Sequence, residues 1–260
     1  MTWPRRLGRR SRDEDRGNAV LVRLIALPLI EPTSSLAVGA TRRTSYTYAV
    51  TTALPKVLPL VLKRRAAAFD NPHYLYELKH DGFRALLEID GGARLVSRNR
   101  NRFRHLDPLA AALAKLLRVD NAILDGELIC ADASGRPIFM DLLSRRSPAC
   151  LIAFDLLWLN GEDLRAMPLT ERKKRLTRLL RRRSNHLIAE AMSVEGRGKA
   201  LMAAVEEHDL EGIVAKRKSD PYRRGVKWWK IMNPAYSQAE GRHELFNMGG
   251  RAIPAAVLRR

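Results

Sequence analysis

A lysine inside a charged octapeptide is the residue of this chain best suited to covalent chemistry. Residues 77–84 read Glu-Leu-Lys-His-Asp-Gly-Phe-Arg, which places Lys79 just before an Asp-Gly pair and Arg84 just after it. A lysine attacks phosphorus only as the neutral amine, so it needs neighbours that lower its pKa or accept its proton. Lys79 is therefore a candidate nucleophile toward a phosphorylated ligand.

The Asp81-Gly82 pair indicates how this lysine is positioned. Glycine accepts positive φ and aspartate bonds nearby backbone donors, so the pair predicts a tight hairpin turn. Lys79 and Arg84 would then lie on two adjacent strands and converge on one ligand. An ordinary exposed hairpin with solvated charges is the competing interpretation, and the rest of the chain must decide between the two.

The segment after the octapeptide predicts two more strands of a small sheet. Apolar and polar residues alternate over 83–90, which is typical of a strand with one buried face. Gly91-Gly92 turns the chain, and the returning strand ends at Ser97-Arg98-Asn99. We expect Arg98 at the far end of this sheet, with its guanidinium within reach of a phosphate.

Helical spacing and turn residues predict the remaining elements. Leucines over 106–117, after Asp107-Pro108, indicate an amphipathic helix. Strands are predicted over 122–130, over 151–159 before an Asn160-Gly161 turn, and over 211–216. Thr170 is the predicted N-cap of a basic helix that reaches about residue 182, and another helix is predicted over 197–208. We interpret the arginines at 181–183 as solvated cations near a helix C-terminus.

Composition restricts the class of protein. The 260 residues, 46% of them hydrophobic, suffice for one large domain or two small ones. The formal charge of +19 suits a polyanion such as DNA or RNA, although ribosomal and membrane-surface proteins share this balance. Cys130 and Cys150 lie in or beside apolar runs, so we expect two small core residues in a reduced, cytoplasmic protein.

The N-terminal region imitates a secretion signal. Arginines before residue 17 precede an apolar stretch over 19–30, but Arg23 and Pro28 interrupt it and it is too short to span a bilayer. We therefore expect a cytoplasmic protein without a membrane partner. Residues 1–54 are predicted to be a poorly patterned, disordered extension, 55–233 the functional domain and 234–260 a short tail.

Five motifs in a fixed order carry a family resemblance. They are the octapeptide at 77–84, Ser-Arg-Asn at 97–99, Leu-Asp-Gly-Glu at 124–127, Phe-Asp-Leu-Leu at 154–157, and Leu-Glu-Gly-Ile-Val-Ala-Lys-Arg at 210–217. Over residues 55–233 the chain resembles the covalent nucleotidyltransferases, and most closely the adenylation domain of ATP-dependent DNA ligases of the bacterial end-joining type. The resemblance implies an α+β, ATP-grasp-like fold with largely antiparallel sheets around a nucleotide cleft.

The resemblance implies a reaction in three steps. Lys79 attacks the α-phosphate of ATP, expels pyrophosphate and carries AMP as a phosphoramidate. AMP then passes to the 5′-phosphate of nicked or broken double-stranded DNA, and the adjacent 3′-hydroxyl seals the strand in repair or recombination. The covalent intermediate divides one difficult step into easier ones.

The resemblance also assigns nucleotide-binding roles. Arg84 would hold the sugar, Glu127 would contact the ribose or lie near the metal, and Phe154 would stack on adenine. Glu77 would meet the adenine edge, and Lys230 would pair with the α-phosphate. A core phenylalanine is the competing interpretation of Phe154, and a salt-bridged strand charge is that of Glu77.

Three further roles concern the metal and the phosphates. Glu211 would bind Mg²⁺ (or Mn²⁺), a hard cation that takes oxygen donors. Arg98 would present its planar fork to the DNA 5′-phosphate, and Lys216 would support phosphate binding. A surface ion pair is the alternative for Arg98, and a salt-bridged strand charge is the alternative for Lys216.

The chain departs from the ligase pattern in two places. Met232 stands where a second lysine usually follows Lys230, so one α-phosphate contact is missing and we expect slower adenylation or sealing. The tail after residue 233 is too short for the C-terminal oligonucleotide-binding (OB) barrel that ligases of this family generally carry. Three explanations stay open: a separate chain or end-joining factor supplies that domain, the enzyme is minimal, or the reading frame is truncated.

Two other functions stay open at this point. One is a catalytically impaired, ligase-like remnant that binds nucleic acid without turnover. The other is an RNA ligase or a capping-type nucleotidyltransferase, which shares the lysine chemistry.

Overall fold

The computed structural model describes residues 53–132 and 137–239. The strands in these ranges are β1 (Leu62–Arg64), β2 (Asn71–Leu78), β3 (Phe83–Asp90), β4 (Ala93–Ser97), β5 (Asn121–Ile129), β6 (Cys150–Leu159), β7 (Glu162–Asp163), β8 (Ile188–Glu190), β9 (Ser193–Gly196), β10 (Gly212–Arg217) and β11 (Trp228–Met232). The α-helices are α1 (Asp107–Leu117), α2 (Phe139–Ser144), α3 (Leu169–Leu180) and α4 (Gly198–Glu207).

The strands form two sheets that are largely antiparallel. In the first, which we call sheet A, the order is β1-β11-β10-β2-β9, and only the β1–β11 pair is parallel. In the second, sheet B, the order is β4-β3-β5-β6-β7, and β8 pairs in parallel with β6. The prediction of an α+β fold with mainly antiparallel sheets is confirmed.

Three apolar cores hold these layers together. One lies between sheet B and the helices α1 and α3, and another lies between sheet A and α4. The third joins the facing surfaces of the two sheets, with Phe154 from sheet B and Trp228 from sheet A among its members. Because side chains alternate along a strand, each sheet contributes one face to this shared core and the other face to its own helices. The shared core forms the floor of a cleft.

The predicted hairpin at Asp81-Gly82 is wrong. β2 pairs with β9 and β10 in sheet A, whereas β3 pairs with β4 and β5 in sheet B, so the pair carries the chain from one sheet to the other. Contacts with distant parts of the chain explain why aspartate and glycine occupy these two positions. A Cβ on Gly82 would lie 2.0 Å from the carbonyl oxygen of Leu128, and buried Asp81 accepts a hydrogen bond from the Tyr236 hydroxyl at 2.8 Å. Glycine is needed here for close approach of two backbones.

Most of the other predicted elements are confirmed. The turns at Gly91-Gly92 and Asn160-Gly161, the helices α1 and α4, and the strands β5, β6 and β10 lie within a few residues of their predicted positions. Cys130 and Cys150 are buried free thiols, as expected, and burial raises their pKa values to about 11 and about 12.

Two local predictions miss the structure. Thr170 lies in the first turn of α3 rather than at its N-cap, which is Pro168 without a side-chain hydrogen bond. The short elements α2, β8 and β9 have no counterpart in the sequence prediction, because three to six residues give too little periodicity.

The predictions for most of residues 1–54 and 234–260, including the secretion signal and the disordered extension, lie outside the described residues. No helix within the described ranges is both long enough and apolar enough to cross a bilayer.

Candidate active site

Lys79 lies at the edge of the cleft, immediately after β2. Its backbone N–H donates to the carbonyl oxygen of Gly212 at 2.9 Å, which ties the residue to the start of β10. Its ammonium donates to Oε2 of Glu211 at 2.7 Å. Burial raises the pKa of Glu211, against the attraction of Lys79 and Lys230, so its carboxylate is a stronger proton acceptor than usual.

Gly212 lets Glu211 approach Lys79. Its φ is +153°, and a Cβ there would lie 2.2 Å from the carbonyl oxygen of Ile231 on β11. A side chain at this position would separate β10 from β11. The glycine in the Leu-Glu-Gly motif therefore holds the strand that carries Glu211.

Glu77, two residues before Lys79, anchors a buried charge cluster. Its carboxylate accepts from the ammonium of Lys173 on α3 at 2.8 Å and from that of Lys216 on β10 at 2.5 Å. Burial alone would raise the pKa of Glu77, but the two ammonium groups lower it below its usual value. Burial lowers the pKa of Lys216. The salt-bridged interpretation of Glu77 and Lys216 thus matches the structure, and their roles toward a nucleotide stay predictions.

Sheet B contributes Arg84 and Glu127 from neighbouring strands, at paired positions of β3 and β5. Arg84 donates twice to Asp125, with both distances 2.6 Å, and the Tyr222 hydroxyl donates to the same carboxylate. Burial raises the pKa of Glu127 to about 7, although Lys79 and Arg84 oppose the shift. The Glu127 carboxyl thus lies on the opposite sheet within electrostatic reach of Lys79.

Aromatic rings and cations alternate on the cleft floor. The Arg84 guanidinium lies 4.6 Å from the ring centroid of Phe154, and the Lys216 ammonium lies 4.2 Å from Phe154 and 4.1 Å from Trp228. The buried Nε1–H of Trp228 has no acceptor among the described residues. This donor belongs to a residue that lines the cleft, and burying it without an acceptor costs free energy.

The cleft is narrow in this conformation. It encloses about 40 Å³, and His80 lines it, with a pKa that burial lowers to about 4. A space of this size holds roughly one water molecule, so a base can reach Phe154 only if Arg84 or Lys216 moves off the ring. The core interpretation of Phe154 therefore matches the structure, and adenine stacking stays a prediction.

Arg98 and Lys230 form no ion pair within 4 Å with any described side chain, although the charge of Lys230 acts on the pKa of Glu211. Arg98 is exposed in the turn after β4, where Ser97 pairs with Ala85 beside Arg84. Lys230 pairs across the sheet with Val214 and shares the cleft-facing side of β11 with Trp228. Met232 lies two residues farther along the same side.

Comparison with known proteins agrees with this arrangement. Residues 60–232 match the family described as the ATP dependent DNA ligase domain. The chain belongs to this ligase family. The matched segment lies inside the predicted domain at 55–233, whose exact bounds stay a prediction.

Individual relatives support the same family. The chain is 32% identical over 192 residues to the SPbeta prophage-derived DNA ligase-like protein LigB of Bacillus subtilis, which covers 70% of this chain and 69% of LigB. It is 35% identical to the multifunctional non-homologous end joining protein LigD of Pseudomonas aeruginosa, over 61% of this chain and 20% of LigD. This ligase-family chain therefore spans only a fifth of LigD.

A solved structure agrees with the fold. The structure of mycobacterial DNA ligase D complexed with ATP and MES is 30% identical, with a TM-score of 0.59, and the match covers 68% of this chain and 60% of that one. The nucleotidyltransferase fold predicted from the motifs is therefore confirmed for this ligase-family chain.

The carboxylates of the cleft fit a hard divalent cation. The negative charge of Glu211, immediately before β10 of sheet A, contributes to the raised pKa of Glu127 on sheet B, so the two carboxylates lie within electrostatic reach of each other. Mg²⁺ typically binds through one or two carboxylates together with substrate phosphates. Within the described ranges no cluster of three or more metal-ligating side chains occurs, so a nucleotide would have to complete the coordination.

The sequence prediction missed the residues of α3 that support the cleft. Arg172 forms a fully buried, bidentate ion pair with Asp155, and neighbouring Lys173 binds Glu77. A signal was present, because these cations share the apolar face of α3. The buried positions of α3 are Leu169, Arg172, Lys173, Leu176, Leu179 and Leu180. The sequence prediction assigned no position to either cation.

Proposed function

We propose that this protein is an ATP-dependent DNA ligase in which Lys79 forms a covalent bond to AMP and the enzyme seals breaks in double-stranded DNA. The observation that carries the proposal is the Lys79–Glu211 pair at the mouth of a cleft lined by Glu77, Arg84 and Glu127. Family membership supports the assignment of Lys79, within the octapeptide motif, as the nucleophile.

The first step begins with loss of a proton from the Lys79 ammonium. The Glu211 carboxylate, already hydrogen-bonded to that ammonium at 2.7 Å and with a raised pKa, is the nearest acceptor. The neutral Nζ then forms a bond to the α-phosphorus of ATP, the bond to the bridging oxygen breaks, and pyrophosphate leaves. Lys230 neutralises charge on the α-phosphate.

Binding of ATP requires the cleft floor to rearrange. Lys216 shifts from Phe154 toward the phosphates, and Phe154 then offers its face to adenine. Glu77, held by Lys173, keeps its place near the base edge, and Arg84 holds the sugar. Glu211, with Glu127 nearby, would hold Mg²⁺ (or Mn²⁺), and this cation would supply positive charge beside the phosphates.

The later steps use DNA. The 5′-phosphate at a nick displaces Lys79 from AMP, so a phosphorus–oxygen bond replaces the phosphorus–nitrogen bond. The 3′-hydroxyl then attacks the activated phosphate and AMP leaves. Exposed Arg98, near the Arg84 end of sheet B, is positioned to hold the 5′-phosphate. End-joining factors or a chain that supplies an OB domain are proposed partners, and we propose the cytoplasm, where ATP is available, as the location.

A pulse-chase experiment tests the full reaction. The protein is labelled with α-³²P-ATP and Mg²⁺, freed of ATP, and then mixed with a nicked duplex. We expect the label to pass to the DNA 5′-end and then appear as free AMP together with sealed product. Label that stays on the protein in the presence of nicked DNA would support the impaired remnant instead.

Substrate competition separates the ligase from its relatives. Unlabelled ATP should suppress labelling and GTP should not, and a DNA nick should discharge the label faster than an RNA nick. Preference for GTP would indicate a capping-type enzyme, and preference for RNA ends would indicate an RNA ligase.

A further inference from the structure

A second concave surface lies on the side of sheet B away from the cleft. It is a groove of about 900 Å³ between the C-terminal ends of α1 and α3, and we call it the outer groove. Its apolar floor includes Leu116 and Leu187. Six cations line it: Lys115, Arg118, Arg178, Arg181, Arg182 and Arg183.

The cations of the outer groove have no carboxylate partner in the described part of the chain. No ion pair within 4 Å joins any of the six to a described carboxylate, and the one side-chain hydrogen bond that they donate to a described residue joins Arg183 to the carbonyl oxygen of Leu179. Five of the six side chains are exposed. Cations this close together repel one another, so an anion that bridges them would be attracted strongly.

Two of the arginines also adopt a backbone conformation that residues with a Cβ avoid. Arg118, at the C-cap of α1, has φ +50°, and Arg182, just after α3, has φ +64°. Glycine or asparagine usually occupies such positions at helix ends. Arginine there costs some stability and gives a long cation at each side of the groove.

We propose that the outer groove binds the phosphodiester backbone of duplex DNA, as a contact separate from the strand end held at Lys79. Arginine matches phosphate geometry with its planar fork, and the concave shape suits a curved chain of phosphates. A membrane surface fits less well, because the large apolar side chains that are exposed, Leu58, Val61 and Met192, lie outside the groove. The choice of DNA among polyanions rests on the proposed ligase function.

The two sites face opposite sides of sheet B. Leu87 and Leu124 of this sheet pack toward α1 and α3, whereas Leu86 and Ile123 pack toward the cleft. Duplex DNA bends little over a few tens of base pairs. The outer groove therefore binds a different stretch of duplex from the nick, or a second DNA end, and it raises the local concentration of DNA.

The test measures the affinity of the full chain for an unnicked duplex over a range of salt concentrations. The variant carries Arg118→Gly, Arg178→Gln and Arg182→Gly, and the control carries Lys63→Gln, Arg197→Gln and Lys199→Gln, which remove the same charge from exposed positions elsewhere. Each lost phosphate contact lowers the slope of log K against log salt by about 0.9. We expect a slope smaller by about 2 to 3 and at least tenfold weaker binding for the groove variant, with little change in the control.

Two further readouts separate this proposal from the proposed function and from misfolding. Lysyl-AMP formation should be unchanged in the groove variant, and its melting temperature should not fall, because glycine relieves the positive φ at two positions. An affinity and slope equal to those of wild type, or an equal loss in the control triple, would overturn the proposal. The proposal would also be overturned if the groove variant lost binding to anionic phosphatidylserine vesicles but retained its affinity for DNA.

Discussion

Cations occur in two contrasting settings in this molecule. In the cleft, Arg84, Lys173 and Lys216 each bind a buried carboxylate at 2.5 to 2.8 Å. In the outer groove, arginines project from helix ends without such partners. Buried cations must be paired to offset desolvation, and pairing fixes their positions to within a hydrogen bond. The cations of the cleft are therefore held in fixed positions, as catalysis requires. The cations of the outer groove are not fixed by carboxylates, so they can bind phosphates without a defined geometry.

The largest effect expected from this contrast concerns α3, which carries both kinds of cation. Arg172→Met should lower the free energy of unfolding by about 3–5 kcal/mol, because it leaves Asp155 buried without its partner. Lys174→Met on the same helix breaks only the exposed pair with Glu171 and should leave the free energy of unfolding nearly unchanged, because solvent screens that pair. Urea unfolding of both variants measures the two free energies. Equal losses of unfolding free energy would contradict the distinction between buried, paired cations and exposed cations.

Glu127 should make stability depend on pH. Its folded pKa of about 7 lies above the usual value of 4.5, so the folded state binds the extra proton and stability falls as pH rises from about 4.5 to 7. Glu127→Gln should remove this loss, which amounts to at most about 3 kcal/mol. Unfolding midpoints at pH 5 and pH 8 provide the measurement.

The exposed residue Glu206 on α4 offers a control. Glu206→Gln should follow the wild-type pH profile. If Glu127→Gln also follows it, the environment assigned to Glu127 is incorrect.

A substitution of Lys173 tests whether the ion pairs of the cleft position Glu77 for ATP binding. Lys173→Met should cost about 2 kcal/mol of stability, because Glu77 keeps Lys216 but loses one charge-assisted hydrogen bond. It should also weaken ATP binding. A double variant with Glu77→Gln should recover part of the stability but not the ATP affinity, and recovery of both would refute a positioning role.

Met232 offers the smallest expected change. Met232→Lys adds a cation on the cleft-facing side of β11 and should speed lysyl-AMP formation roughly tenfold, as expected for one charge-assisted contact. Met232→Leu keeps an apolar side chain and should leave the rate unchanged. An equal rate in all three proteins would mean that the position does not touch the α-phosphate.

The sequence predicted which segments form the strands that carry the motifs better than it predicted how those strands pair. Alternating residues and glycine turns located β3, β4 and β5, because both signals are local. The exchange of sheets at Asp81-Gly82 depends on contacts with Leu128 and Tyr236, far away in the chain, so an Asp-Gly pair alone could not reveal it.

The same limit applies to the cleft. The motifs named Lys79 and Glu211, and the structure brings these residues together. The supporting cations on α3 were missed because charge is normally a sign of exposure, and only the tertiary partners Asp155 and Glu77 make burial possible there.

The central claim is that Lys79 carries AMP. The full chain is incubated with α-³²P-ATP and Mg²⁺, and the labelled peptide is identified by proteolysis and mass spectrometry, with Lys79→Arg as a variant that retains the charge. We predict one labelled peptide that contains Lys79, no label on Lys79→Arg, and unchanged labelling of the outer-groove variant. Label that persists on Lys79→Arg, or no label on folded wild-type protein, would contradict the account.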